Sequence, residues 1–364
     1  MPNIAEPDPH RSGPIERAGC DSAALVLLHA ARTTRTARVE ARAAANGEHS
    51  DGRVPSPPRV ALETALRATW RTAKRLMPDT LFLALSHWRR VGRIPRLAAP
   101  QTFNEFILQR CRNPEPHWTL LADKLAVREF VKERIGEEHL IELIATPDVF
   151  DRAVFDALPT AFVMKANHGC GYVRIVEDKQ RVSFEELSCL ANQWLAEDFS
   201  RASRERHYRP IKPKLYFERL LLDCNGHVPA DLKMNMFGRD ANGKPIIYAG
   251  IVSDRFGTPH GDVFDVDWNR VDIAVGHYPQ SRVPLPVPPH WDEIIRLATR
   301  LADGLGFVRV DLYVPDGKVF FGELTFTPGA GVFPFHPDRI DYEWGRLFKD
   351  MLDEERRTNL KDFN

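Results

Sequence analysis

An arginine and two carboxylates, Arg309, Asp311 and Glu323, sit in two runs of alternating apolar and polar residues on either side of Pro315-Asp316-Gly317. Proline presets φ, aspartate suits the next turn position and glycine accepts the left-handed conformation, so the sequence predicts a hairpin closed by a type I turn with a bulge. With a three-residue loop, Val314 faces Lys318 and the register carries Arg309 to a position opposite Glu323. Asp311 then lies on the same face, one diagonal step from Glu323 and roughly 7–8 Å away. Val308, Val310, Leu312 and Leu324 turn to the other face. A two-residue loop would instead throw Asp311 and Glu323 onto opposite faces. Thr325 extends the polar row, and Thr327-Pro328-Gly329 ends the strand. Paired carboxylates at this separation suit a hard cation, and magnesium needs few protein oxygens where phosphates supply the others. A solvated sheet face with a surface ion pair would show the same row, but Phe320, Phe321 and Phe326 make the second strand too apolar for an ordinary exposed edge.

A second constellation precedes it. Residues 161–165 form an apolar, strand-like run ending in Lys165; Ala166-Asn167-His168-Gly169-Cys170-Gly171-Tyr172 and a further strand at 173–176 follow. Glycines let the backbone close on phosphate oxygens, and successive amides form an anion-binding nest. The lysine precedes the glycines, so this is not a Walker A loop. A lysine snorkelling beside an ordinary hairpin would read the same way. Asp231 and Lys233 alternate along another strand and share a face, as site residues or as a plain ion pair.

Seven motifs in order, TFNE (102–105), LADKLAVREFVKERIG (121–136), FVMKANHGCG (162–171), DLKMNMF (231–237), VSDRF (252–256), FVRVDLY (307–313) and FGELTFTPGAG (321–331), resemble the TupA-like ATP-grasp family. Two departures stand out: Thr325 stands where ATP-grasp enzymes generally carry Asn, although Thr is usual there for the TupA-like branch, and Phe106 stands where the branch tends to have Lys. The resemblance implies an α+β, ATP-grasp fold with two α+β subdomains clasping ATP, here 119–217 with the lysine–glycine loop and 218–352 with the metal hairpin. A helical region at 59–118 would precede them and a tail at 353–364 would follow.

The same resemblance implies roles. Lys165 would contact the α/β-phosphates of ATP, His168, Gly169 and Gly171 would cover the triphosphate, and Lys124 would be the other phosphate-facing lysine. Residues 216–222 would lead into the adenine hinge, with Phe217, Leu220 and Leu221 sandwiching the purine. Glu218 would accept its exocyclic amine or fix the strand, and the backbone from Arg219 to Leu221 would read its edge. Asp231 would face the ribose or the acceptor, and Lys233 the γ-phosphate. Asp311 and Glu323 would hold Mg2+, with Thr325 as a weak partner, and Arg309 would stabilise negative charge on the transferred group. Asp254 and Arg255, at the mouth of a loop, would recognise the acceptor or order that loop over ATP. The implied activity is ATP-dependent joining of a carboxylate to an amine through an acyl phosphate, in surface or exopolysaccharide construction. A phosphotransferase acting on a sugar hydroxyl, or a glycan-pathway binding protein without ATP chemistry, would carry the same likeness.

At 364 residues and 43% apolar composition the chain can bury a sizeable core. Lys plus Arg and Asp plus Glu number 50 each, so overall charge argues neither for nucleic acid nor for a membrane surface. Five cysteines without CxxC spacing point to reduced thiols in a cytoplasmic protein. No apolar run approaches the roughly 20 residues of a membrane span.

Residues 1–58, rich in Pro, Ala, Arg, Gly and Ser, read as a disordered extension or an over-long start. Residues 60–77 follow helical spacing with a basic remainder, and the style continues through 81–90. Sequence of this kind over 60–96 lies on anionic lipid or, alternatively, packs on its own domain. Helices are expected at 103–112, 120–135, 183–196, 291–305 and 342–356. Short strands are expected at 140–144 and 214–222, and a hairpin over 231–237 and 245–252. Residues 253–272 read as a mobile loop and 284–289 as a proline linker. His260, His277 and His336 read as surface or core residues rather than catalysts, and Cys170 as incidental.

Overall fold

The computed structural model describes residues 76–253, 259–275 and 278–361. The extension at 1–58, nearly all of the helix expected at 60–77, Asp254, Arg255 and His277 lie outside them.

The first described helix, Asp79–Val91 (α1), ends at Gly92 in the left-handed conformation. The expected helix at 103–112 forms as Phe103–Arg112 (α2), because Thr102 and Glu105 cap each other's backbone reciprocally. The single helix expected at 120–135 is two, Trp118–Ala122 (α3) and Val127–Ile135 (α4). Asp123 breaks it: its Oδ1 accepts from Leu125 N–H at 2.9 Å and Ala126 N–H at 3.3 Å, a side-chain turn that competes with the helical ladder. Leu143–Ala145 (β1), Arg152–Ala157 (α5), Phe162–Ala166 (β2) and Val173–Val176 (β3) follow. Next come Phe184–Ala196 (α6), capped by Ser183 as expected, Phe199–Ser203 (α7) and Leu215–Glu218 (β4).

The hairpin expected across 240–243 forms as Asp231–Arg239 (β5) and Pro245–Ser253 (β6). The segment read as a mobile loop instead carries His260–Phe264 (β7) and Arg270–Val271 (β8), paired with each other. These strands are too short and polar to show periodicity. Their turn is built by Asp265, whose Oδ1 accepts from the backbone N–H groups of Asp267 at 3.0 Å and Asn269 at 2.8 Å. Ala274–Val275 (β9), Trp291–Ala302 (α8), Val308–Tyr313 (β10), Phe320–Thr325 (β11), Phe335–His336 (β12) and Arg339–Lys361 (α9) complete the chain.

Two antiparallel sheets organise these elements. The smaller has the order β1-β4-β2-β3, the larger β11-β10-β5-β6-β7-β8. On the small sheet Phe162, Met164 and Phe217 pack against Leu187 and Trp194 of α6. On the large sheet Leu232, Met234, Val308, Val310 and Leu312 pack against α8 and α4 through Ile294, Leu297, Leu301 and Val131. Because side chains alternate along a strand, Asp231, Lys233, Arg309 and Asp311 are thereby turned to the opposite face.

A third core ties the far end of β5, through Phe237, to Phe103 of α2 and to Trp344 and Phe348 of α9. It also explains why the motifs at 102–105 and 321–331 belong together. Asn104 Nδ2 donates to Phe333 O at 2.7 Å, its Oδ1 accepts from Phe333 N–H at 3.1 Å, and Asp341 accepts from the same residue. Gly331, with φ at 68°, passes so close that a Cβ there would lie 2.6 Å from Asn104 O. Asn104→Ala would leave the half-buried Phe333 amide and carbonyl without their partner and remove one hydrogen bond from the Asp341 carboxylate, and should cost about 2–3 kcal/mol in urea unfolding.

Candidate functional site

The metal-type hairpin forms, but with a different turn and register from those expected. Lys318 N–H donates to Pro315 O at 2.9 Å, with Asp316 at φ 50° and ψ 34° and Gly317 at φ 80°. Both central residues therefore have positive φ, the geometry of a type I′ turn, for which Asp-Gly is a preferred pair. Pairing resumes at Tyr313 with Phe320, and Leu312 faces Phe321, one residue later than the three-residue loop implies. Gly322 is then an extra residue in β11, and beyond it Asp311 faces Glu323 and Arg309 faces Thr325. Arg309 is thus not opposite Glu323, and Asp311 is directly across from it rather than diagonal. The cause is turn chemistry: Asp-Gly at the turn's centre moves the last strand pair outward, and the bulge restores the faces. Only glycine fits the bulge, since a Cβ on Gly322 would meet Asp311 O at 2.9 Å.

The three charged groups end on one face, in contact. Arg309 Nε and Nη2 donate to the two oxygens of Asp311 at 2.7 and 2.8 Å, and Nη2 reaches Thr325 Oγ1 at 3.2 Å and Glu323 Oε1 at 3.5 Å. Lys233 Nζ, from β5, lies 3.1 Å from Asp311 Oδ2 and 3.4 Å from Asp231 Oδ2. Burial pushes the Asp311 carboxyl above its ordinary range, against the pull of Arg309 and Lys233.

The break between α3 and α4 aims Lys124 at this row. Its Nζ donates to Gly169 O at 2.7 Å and pairs with Glu323 Oε2 at 3.0 Å, so one lysine joins the glycine loop to the hairpin. Lys165, on β2, pairs with Glu218 of β4 at 2.6 Å, and Arg128 of α4 approaches the other Glu218 oxygen at 3.5 Å. Between the sheets lies a cleft lined by Lys124, Lys165, Lys233, Glu218, Asp311 and Glu323, with Asp231 and the Arg219–Leu221 segment at its border. Its apolar wall, Ile141, Val163, Val173, Ile175 and Tyr313, was not foreseen, although alternation with Lys165 marks Val163 as a residue of the same face. The free volume is about 90 Å³, below the several hundred Å³ of ordinary ligand pockets. Paired side chains occupy the space.

Two expected site residues lie elsewhere, and a third, Arg219, stays at the cleft's border with its side chain turned outward. Phe217 is fully buried in the core of the smaller sheet; it neighbours Glu218 on one strand, so the two point to opposite faces. His168 is also turned inward, stacked on Tyr172 with its ring 4.9 Å away and Nε2 near Trp194 O at 3.2 Å. Its imidazole therefore does not line the cleft, and burial lowers its pKa. Arg219 is largely exposed and pairs with Glu142 at 3.2 Å; its backbone N–H donates to Glu142 O. Gly169 and Gly171 form the hairpin connection behind Lys124. A Cβ on Gly169 would strike Phe199 and Tyr172 at 2.7 and 2.8 Å, whereas Gly171 is needed for φ at 82°.

Two buried titratable groups beside the hairpin escaped notice in the sequence. Glu205 accepts a short hydrogen bond from Thr327 Oγ1, at the end of β11, and its carboxyl is pushed up to about 7 by burial. His207 is packed against Trp118, Phe326 and Tyr208, and burial lowers its pKa to about 3. Neither belongs to a periodic segment, which is why no pattern exposed them.

Among the described residues no group of three or more His, Cys, Asp or Glu is placed to hold a metal alone. The donor set nevertheless suits a divalent cation that shares phosphate oxygens: two carboxylates on adjacent strands and the Thr325 hydroxyl are all hard ligands. Arg309, Lys233 and Lys124 now satisfy those oxygens with the positive charge such an ion would bring.

The model of the TupA-like ATPgrasp family matches residues 105–349. No curated protein matches. Among solved structures the chain is similar to a D-alanine–D-alanine ligase from Bacillus anthracis complexed with ATP, at 17% identity and TM-score 0.38 over 67% of each chain. It is also similar to the ADP complex of purK, N5-carboxyaminoimidazole ribonucleotide synthetase, at 13% identity and TM-score 0.35, over 58% of this chain and 46% of that one. A phosphoribosylamine–glycine ligase from Thermotoga maritima follows at 15% identity and TM-score 0.34, over 57% and 48%. The present chain thus spans under half the length of the last two. The family match takes in more than half of the sequence and every residue of the cleft, and the chain belongs to the TupA-like ATP-grasp family.

Proposed function

We propose that the chain is an ATP-dependent carboxylate–amine ligase. The observation that carries this reading is the convergence of three lysines and the Asp311–Glu323 pair on one cleft between the two sheets, beside an apolar wall, with Arg309 bonded to both carboxylates. The subdomains would be 119–217 and 218–352. Lys165 and Lys124 would neutralise the phosphates once released from Glu218 and Glu323. The wall from Ile141 to Ile175, with Leu220 and Leu221, would hold the purine against the Arg219–Leu221 backbone, and Asp231 would face the ribose. Lys233 would orient the γ-phosphate for attack.

A carboxylate oxygen of the substrate then forms a bond to the γ-phosphorus while the bond to ADP breaks. An amine next attacks the acyl carbon and expels inorganic phosphate. Arg309 would stabilise charge on the phosphoryl group and afterwards on the tetrahedral adduct, since this chemistry needs preorganised positive charge rather than a protein nucleophile. Asp311 and Glu323, with Thr325, would hold Mg2+, which supplies charge neutralisation between phosphate oxygens. The carboxylate belongs to the class of uronic or amino acids of surface polysaccharides, handled in the cytoplasm.

The test is a product screen with ATP, magnesium and pooled uronic acids, amino acids and amino sugars. Inorganic phosphate with an amide supports the reading; a stable phosphomonoester replaces it with phosphotransfer to a hydroxyl. ATP with magnesium should also raise the melting temperature, by the equivalent of about 2.7 kcal/mol at a hundredfold excess over Kd, and EDTA should remove the shift. A protein indifferent to both would be a binding protein without ATP chemistry.

A further inference from the structure

Helix α1 buries one stripe and exposes another. Leu83 and His87 are inside, while Leu81, Leu85 and Trp88, at spacings of four and three, are 49%, 37% and 53% exposed. Leu76 and Ile94 flank them at 80% and 79%. Of the eleven large apolar side chains exposed among the described residues, these are five, gathered in one short segment. An apolar surface so concentrated marks a contact site.

The charges around it identify the contact. Residues 76–96 hold four arginines against one acid in a chain that is neutral overall. That acid, Asp79, is already paired with Arg206 at 2.8 Å and Arg204 at 3.4 Å. Asp338, just before α9, and Asp341, in its first turn, are both held by Arg93. Arg89 and Arg96 remain exposed beside the stripe. Leucines with a tryptophan at their edge, bordered by arginines whose acidic neighbours are neutralised, complement the acyl boundary and anionic headgroups of a bilayer. Another protein's apolar groove would not require the surplus of arginine.

We infer that the outer face of α1 docks this protein on an anionic phospholipid membrane. Docking there has a consequence for the cleft. On the inner face of the same helix, His87 Nδ1 lies 2.8 Å from Gly331 O, in the loop that follows the metal-type hairpin. One helix thickness, about 10 Å, then separates that loop from the lipid, which brings the cleft's edge close to the membrane surface. The inference does not rest on the ligase reading, because docking needs no turnover.

The test is flotation of the full chain with vesicles of phosphatidylcholine, with and without about 30 mol % phosphatidylglycerol. Binding should require the anionic lipid. Leu85→Ser with Trp88→Ser should lower the partition coefficient about tenfold or more, as should Arg89→Glu with Arg96→Glu. Melting temperatures near wild type would show that the fold survives. Equal binding to neutral vesicles, or no binding, overturns the proposal. Binding that both double variants retain assigns it to the sequence before residue 76 and equally overturns it. So does a doubling of solution mass that the Leu85/Trp88 variant abolishes, since the face would then be a self-association surface.

Discussion

Asp311→Asn and Glu323→Gln should each reduce ATP turnover by at least about 10²–10³-fold while the protein remains folded. Each substitution removes one of two facing carboxylates, and the other acid on that face, Asp231, stands further along the strand pair, opposite Tyr313. The fold should persist because asparagine and glutamine keep an acceptor oxygen in the same place. Lys233 also retains Asp231 at 3.4 Å, and in the Asp311 variant Arg309 retains Glu323 at 3.5 Å. Steady-state ADP release and a thermal melt, run on the same preparations, separate lost chemistry from lost structure. Near-normal turnover in both variants would reject the metal assignment.

The second large effect concerns stability. Glu205 and His207 are both buried and should tilt the pH dependence of unfolding in opposite directions. The Glu205 carboxyl rises from 4.5 to about 7 on folding. Between those values the folded protein keeps a proton that the unfolded chain releases, so stability is full below pH 4.5 and is lost as pH rises towards 7. The loss is about 3 kcal/mol. The His207 imidazole falls from 6.5 to about 3. Its contribution is full above pH 6.5 and is lost as pH falls towards 3, by about 5 kcal/mol. The two slopes oppose each other where the windows overlap. Relative to wild type, Glu205→Gln should gain stability as pH rises from 4.5 to 7, and His207→Gln should gain it as pH falls through the same range. Urea midpoints across that range measure both slopes. A Glu205→Gln curve parallel to wild type would mean that Glu205 titrates normally.

Much of this site was readable because strands alternate. The polar row on β10, its partner on β11 and the apolar run into Lys165 all show a period of two, and all three form. Misreadings arose where one residue upset that period. Gly322 is an extra member of β11, and nothing in the sequence marks it as unpaired, since the shorter loop and the bulge each move the register by one residue and together leave the faces unchanged. Phe217 and Glu218 were both assigned to the nucleotide although neighbours on a strand face opposite ways, an error the sequence itself could have exposed. His168 joined the phosphate loop by position, but its aromatic neighbours draw it inward. Lys124 has no legible direction in the sequence, because the helix break that aims it rests on the side-chain turn of Asp123. The contact between Asn104 and Phe333 spans most of the chain, beyond any local pattern.

The pairing inside the cleft also bears on how fast a ligand arrives. Lys124, Lys165, Lys233, Arg128 and Arg309 stand against Glu218, Asp231, Asp311 and Glu323, so the groups almost cancel at a distance. A cleft of such small net field does not draw polyanions from bulk solution, and encounter should be set by diffusion and by the opening of the pairs rather than by electrostatic steering. Selectivity then falls to the moment of exchange. A nucleotide that arrives with its own counter-cation can release lysines and carboxylates together, whereas a bare phosphate frees a lysine only by leaving an acid without its partner.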